Sequence, residues 1–144
     1  MRDPPAGWTR ITPTVLYDDA AAALEWLAGA FGFTVRVRVE DERGRIVHSQ
    51  LVMDGGLLMV GQAGLSPDRS YLASPRATGG ANTQALVVHV DDADAHCERA
   101  RAAGAVIVAE PETQDYGEGY WADRTYQARD PEGHNWWFVE RVSG

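Results

Sequence analysis

The residues able to do chemistry in this chain are few, and most of them are aromatic. Tyr116, Tyr120, Trp121 and Tyr126 cluster in and beside residues 110–123, which read as a loop, and Trp136 and Trp137 follow closely. Aromatic walls with a few polar groups are how proteins hold flat or apolar small molecules. The same stretch carries Glu110, Glu112, Asp115, Glu118 and Asp123, with no basic residue before Arg124. An acidic rim over an aromatic floor suits a cationic, partly planar ligand through charge and cation–π attraction. A second reading stays open, in which the aromatics close a core or a dimer contact and the acids are simply solvated. Four histidines, His48, His89, His96 and His134, stand far apart, and no His-x-His or HExxH spacing joins any two into a metal pair. No Gly-x-Ser-x-Gly turn occurs, so Ser-His-Asp catalysis has no support.

Composition narrows the partners. The 144 residues include 21 acidic and 13 basic side chains, a net charge of −8. That balance argues against a nucleic-acid binder and against docking on an anionic membrane. With 44% hydrophobic and 24% charged residues the chain reads as an ordinary soluble domain, or two small modules sharing a core. One cysteine, Cys97, leaves no intrachain disulfide and no cysteine-based zinc site. No apolar run reaches 18 residues, and the opening MRDPPAGWTR lacks an apolar signal segment, so a cytoplasmic location is the expectation.

The elements that must position these side chains come in two copies. Asp18-Asp19 followed by Ala20-Ala21-Ala22-Ala23-Leu24 lies on Asp91-Asp92 followed by Ala93-Asp94-Ala95-His96-Cys97, 73 residues further on. Each acidic pair follows an apolar strand-like run, residues 11–17 and 85–90, and opens a helical pattern that closes at Gly32 or Gly104. Asp at a helix start caps free N–H groups, and Gly at the end permits the left-handed exit. Period-two patterns follow: residues 34–39, 48–53 and 57–62 in the first half, 106–109, 124–129 and 134–142 in the second. Turns at Gly55 and Gly133 precede the last strands. The plan is α+β, two βαβββ modules at residues 1–62 and 84–144, with a Gly-, Ser- and Pro-rich linker at 63–83. Cys97 takes the helix position of Leu24, which reads as core.

With these motifs the chain resembles the vicinal oxygen chelate superfamily of glyoxalase, bleomycin-resistance and dioxygenase proteins. The carriers are Asp18-Asp19 with Leu24-Glu25-Trp26-Leu27 and Phe31-Gly32-Phe33, then Val90-Asp91-Asp92 with Gly104, and Asp130-Pro131-Glu132-Gly133-His134. The resemblance implies curved mixed sheets around a cavity, a homodimer, and, in the enzymes, a divalent metal held from the first and last strand of each module. Counting seven residues back from the second Asp gives Thr12 and Ala85. Counting four on from the turn glycines gives Met59 and Trp137. None is a metal ligand, and Gln84 is the only candidate within one residue, so no cofactor is expected.

The expected ligand-binding set is Trp137, His89, Trp121, Tyr126, Met59 and Thr12. Adjacent tryptophans on a strand face opposite sides, and the count puts Trp137, not Trp136, toward the cavity. His89 shares the parity of Ala85 and Val87 and reads either as a hydrogen-bonding group or general base, or as a solvated histidine at the mouth. His48, with Gln50 two positions on, is a candidate for the same cup. His96 reads as a surface residue and His134 as part of a turn. The function expected is metal-independent sequestration of a small aromatic or cationic compound by a homodimer, in the manner of the bleomycin-resistance branch, with neither nucleic acid nor membrane as partner. The alternative is a glyoxalase- or dioxygenase-like enzyme with an atypical metal site.

Overall fold

A computed structural model describes residues Met1–Gly144. Two helices and eight strands follow in the order β1 (Thr14–Tyr17), α1 (Ala20–Phe31), β2 (Thr34–Glu40), β3 (Ile46–Met53), β4 (Gly56–Gln62), β5 (Leu86–His89), α2 (Ala93–Ala102), β6 (Val106–Asp115), β7 (Ala122–Arg129) and β8 (Asn135–Ser143). They form two four-stranded sheets, ordered β1-β4-β3-β2 and β5-β8-β7-β6. In each, the first and last strands of the module pair in parallel and the other pairs are antiparallel, so the sheets are mixed. Neither sheet closes on itself. The chain divides into two compact units, Met1–Thr78 and Gly79–Gly144. No helix is long and apolar enough to cross a membrane.

Both helices begin and end as the residue types require. The Asp19 carboxylate accepts from the Ala22 N–H at 3.1 Å, and Asp92 accepts from Ala95 at 2.9 Å. Helix α1 ends at Gly32, φ +88°, whose N–H reaches the Ala28 carbonyl. The α2 exit runs through Gly104, φ +95°, with the Ala105 N–H returning to the Ala100 carbonyl. Helix α1 buries Ala20, Ala23, Leu24, Leu27, Ala30 and Phe31, a full helical stripe. Helix α2 buries only Ala93, Cys97 and Ala100, and ion pairs tie it down at its margins. Arg124 grips Asp94 at 2.7 and 2.9 Å, which holds that carboxyl below its usual range, and Arg101 binds Glu110 at 2.6 and 2.7 Å.

A third fixing point recurs in both units. The Gln62 side-chain oxygen, at the end of β4, accepts the Ala20 N–H at 3.2 Å. The Glu140 carboxylate, late in β8, accepts the Ala93 N–H at 2.8 Å. Each satisfies an otherwise free amide in the first helical turn, so the last strand sets the height of the helix. Strand alternation then fixes the faces. Leu58, Val60 and Gln62 face α1, as Trp136, Phe138 and Glu140 face α2, and the intervening residues point the other way.

Four features depart from the sequence reading. The acidic stretch taken as a loop is mostly strand: β6 runs to Asp115 and pairs with β7 as far as Asp115 opposite Ala122. Residues 63–78 are no free tether, since two short 3-10 turns, at Pro67–Arg69 and Pro75–Thr78, fold them onto the first unit. Ser74 there is fully buried and donates to Asp18 at 2.6 Å. The clean alternation of β2 is broken by a bulge between Val35 and Val37, and its arginines are bonded: Arg36 to Gln50, Arg38 to Glu40 and Glu25. His96 is half-buried rather than a surface residue. Its Nδ1 lies 2.5 Å from the Tyr126 hydroxyl and its ring 4.4 Å from that of Phe138.

Candidate functional site: the open face of the second sheet

The face of the second sheet that α2 does not cover is centred on Trp137. Trp137 is half-exposed and lies between Val87 of β5 and Gln127 of β7 in the strand register. Its orientation is inherited from Trp136, which is 1% exposed and whose indole Nε1 donates to Asp130 at 3.0 Å. The second oxygen of Asp130 accepts two amides of its own turn, from Glu132 and His134, each at 3.1 Å. His134 is buried within that turn, as expected. With one tryptophan locked inward, strand parity turns the next one out.

Fixed polar groups surround Trp137. The Asn135 side-chain oxygen accepts from Gln127 Nε2 at 3.2 Å and from Arg129 Nε at 3.0 Å. Asn82 ties the strand entry, its oxygen accepting the Asn135 N–H and its amide donating to Gly133, both at 3.0 Å. Two residues beyond Trp137 lies Val139 opposite Thr125, and two further lies Arg141 opposite Asp123. Arg141 donates to Asp123 at 2.6 Å and stacks 5.0 Å from the centre of the Trp121 ring.

The expected site residues separate between the units and between faces. His89 is exposed at the end of β5 and shares the parity of Val87, on the Trp137 face. Trp121, 41% exposed, packs with Tyr116 and Tyr120 and donates its indole N–H to Asp123 at 3.1 Å. Tyr126 lies on the opposite face, fully buried against Phe138 with ring centres 5.0 Å apart. Burial pushes its phenol well above the ordinary tyrosine range. The open-face positions of β7 belong instead to its neighbours Thr125 and Gln127. Met59 and Thr12 lie in the first unit. Met59 is half-buried opposite Thr14, and Thr12 precedes β1 with its hydroxyl 3.1 Å from that of Thr9. Cys97 is buried under α2, and desolvation raises its thiol.

A divalent metal does not fit these positions. Thr14 opposes Met59 and Val87 opposes Trp137, so the two units share one register. Neither these residues nor Thr12 and Ala85 carry an imidazole or carboxylate. Gln84, the nearest candidate, accepts from Thr83 at 2.8 Å. No three His, Cys, Asp or Glu side chains converge anywhere on the chain.

Two copies of one βαβββ plan, each with a parallel first–last strand pair and an uncovered sheet face, define a glyoxalase-type protein. The chain belongs to the Glyoxalase/Bleomycin resistance protein/Dioxygenase superfamily, which it matches over residues 10–138. It is similar to TioX from Micromonospora sp. ML1, whose crystal structure is 32% identical and aligns over 94% of this chain and 100% of that one, with a TM-score of 0.70. It is also 30% identical to the uncharacterized protein Mb0911c of Mycobacterium bovis over 128 residues, 88% of this chain and 79% of that protein. A glyoxalase/bleomycin resistance protein/dioxygenase from Nocardioides shares the fold at 21% identity, with a TM-score of 0.64 over 95% of this chain and 86% of that one.

Sequence reasoning missed the groups that hold the site in place. Asp130 was seen as a turn residue and not as the acceptor for Trp136. The pairing of Gln62 with Glu140 had a usable signal, because the offset of the two turn glycines, 78, also separates these two residues.

Proposed function

We propose that this protein is a metal-independent small-molecule-binding member of the superfamily, of the bleomycin-resistance kind, which sequesters an aromatic or cationic compound as a homodimer. The observation that carries this reading is Trp137, half-exposed at the centre of an uncovered sheet face and ringed by side chains already fixed by hydrogen bonds. A flat ligand stacks there without ordering the wall first. The charge contribution is narrower than composition suggests. Glu110 is bound by Arg101 and Asp123 by Arg141, and of the remaining acids Glu112, opposite Thr125, is the one whose strand position lies on this face and is open to a cation. Exposed Val87, Val106 and Val108 support a second copy as partner, and a lone buried thiol supports a reducing, cytoplasmic location.

The test is calorimetric titration with a planar aromatic cation such as proflavine, against a neutral aromatic of similar size. Trp137→Ala is expected to weaken binding about tenfold or more through lost stacking and burial, and added salt to weaken only the cation. Unchanged affinity in a folded Trp137→Ala protein would remove Trp137 from the site. Near-stoichiometric metal held by protein side chains, found by elemental analysis of protein purified without chelators, would overturn metal independence.

A further inference from the structure

The hairpin between β3 and β4 turns on the one residue, glycines aside, that takes a positive φ: Asp54, at +47°. Met53 pairs with Gly56, so the loop is the two residues Asp54 and Gly55, and only the first is left-handed. That is the pattern of a type II′ turn, whose first place belongs to glycine because a side chain there strains the backbone. Asp54 is exposed, and its carboxylate has neither a hydrogen-bond nor an ion-pair partner. The Gly55 N–H has no acceptor, and a Cβ on Gly55 would meet nothing within 4 Å.

A free carboxyl followed by an unhindered, unbonded amide can condense with it. The Gly55 nitrogen attacks the side-chain carbonyl carbon of Asp54, a C–N bond forms, a C–O bond breaks, and the hydroxyl leaves with the amide proton as water. The product is a succinimide, whose ring ties the Asp54 side chain to the next backbone nitrogen. In an L residue that ring suits the left-handed first place of a type II′ turn, so the hairpin already holds Asp54 near the shape of the product. Water then re-enters at either ring carbonyl. One opening restores aspartate; the other gives isoaspartate, with the side-chain methylene in the main chain and the α-carboxylate free. No other aspartate combines these features. Asp54-Gly55 is the only Asp-Gly or Asn-Gly pair, and Asp3 and Asp130 precede prolines, which have no N–H. The amides after Asp19 and Asp92 are held by Gln62 and Glu140, and those after Asp68 and Asp115 by the carbonyls of Ser66 and Trp121. Arginines grip the carboxylates of Asp41, Asp94 and Asp123. We propose that Asp54 is a self-modification site, which the folded hairpin carries through the succinimide to isoaspartate and then presents to an enzyme that methylates isoaspartyl carboxylates. The change is confined to the hairpin tip, because Ser49 bonds both the carbonyl and the N–H of Val60, at 2.6 and 3.0 Å, and fixes β3 on β4 below the turn.

The full-length protein is aged in neutral buffer, folded and, in parallel, unfolded in guanidinium chloride. Isoaspartate is then counted by transfer of a labelled methyl group from S-adenosylmethionine by an isoaspartyl methyltransferase, and placed by fragmentation mass spectrometry. Methyl acceptor is expected to accumulate at residue 54, faster in the folded protein than in the unfolded chain, with a transient species lighter by one water. The aged protein should keep its circular dichroism. Gly55→Ala puts a methyl group into open space at a residue that is not left-handed, so it should fold as wild type and form isoaspartate several times more slowly. Asp54→Asn reaches the same succinimide by losing ammonia and should give the same isoaspartate sooner. Slower accumulation in the folded protein than in the unfolded chain would overturn the proposal, since the turn would then protect Asp54 instead of promoting its conversion. So would an unchanged rate in folded Gly55→Ala, or isoaspartate at other residues and none at 54.

Discussion

Asp130→Ala should be among the most damaging single changes to the second unit that touch no apolar side chain. The carboxylate is 3% exposed and accepts three donors: the Glu132 and His134 amides, and the indole N–H of Trp136. Alanine removes both acceptor oxygens and with them all three bonds. The two turn amides can recruit water into the space left behind. The Trp136 donor cannot, because that ring is 1% exposed and stacked on Phe138. One buried donor left unsatisfied costs about 1–3 kcal/mol, and loss of the charged acceptor from the two amides adds about 1 kcal/mol each, for a total of about 3–5 kcal/mol. Against a total stability of about 5–15 kcal/mol this is a large fraction, and it should lower Tm by roughly 10 °C or more.

The assay is urea unfolding followed by both tryptophan fluorescence and circular dichroism, on wild type, Asp130→Ala, Trp136→Phe and the double variant. If the indole bond carries the largest share, the two positions couple by about 1.5–3 kcal/mol in the double-mutant cycle. A cost for Asp130→Ala below about 1 kcal/mol, or two effects that add within about 0.5 kcal/mol, would refute the reasoning. It would also refute the account of why Trp137 faces outward, since that rests on Trp136 being held inward.

Two further predictions concern the faces under the helices. Burial raises the Tyr126 phenol above its ordinary value of 10.0, so the unfolded chain loses that proton first. The stability it protects is therefore complete below about pH 10 and declines as pH rises beyond it, and Tyr126→Phe should flatten that alkaline decline in the urea midpoint. Glu140→Gln should cost little, because an oxygen still meets the Ala93 N–H. Glu140→Leu and Gln62→Leu should each cost about 1 kcal/mol by thermal unfolding, and equal losses for the Gln and Leu variants of Glu140 would remove the capping role.

The repeat, the helix caps and the turn glycines were legible because each rests on a residue type with a local geometric need. Asp19 and Asp92 must accept an amide, and Gly32 and Gly104 must take positive φ. Strand β6 was legible only in part. Glu110, Glu112 and Asp115 have poor strand propensity and read as loop, yet β6 is an edge strand, where charges facing water cost little. His96 was misjudged by its charged neighbours. Its spacing from Ala93 and Ala100 places it on the flank of the buried stripe, where the Tyr126 hydroxyl meets it. Tyr126 was grouped with the loop aromatics by nearness in sequence, and strand parity separates it from them. The way residues 63–78 fold back onto the first unit had no sequence signal.

The two units divide their residues by structural necessity. Gln62 and Glu140 recur at equivalent places because a free amide in the first turn of each helix demands an oxygen there, whatever the protein binds. Thr14 opposite Met59 and Val87 opposite Trp137 occupy equivalent places too, but no backbone group depends on their side chains. Those positions are free to carry metal ligands in one protein and a methionine or a tryptophan in another without disturbing the sheet. Under the proposed function the ligand is therefore selected by the side chains on the open faces, and the backbone that presents them carries little information about it. If the proposed function holds, the chemistry rests on Trp137 and its neighbours, and substitutions on the open face should change binding with little effect on stability.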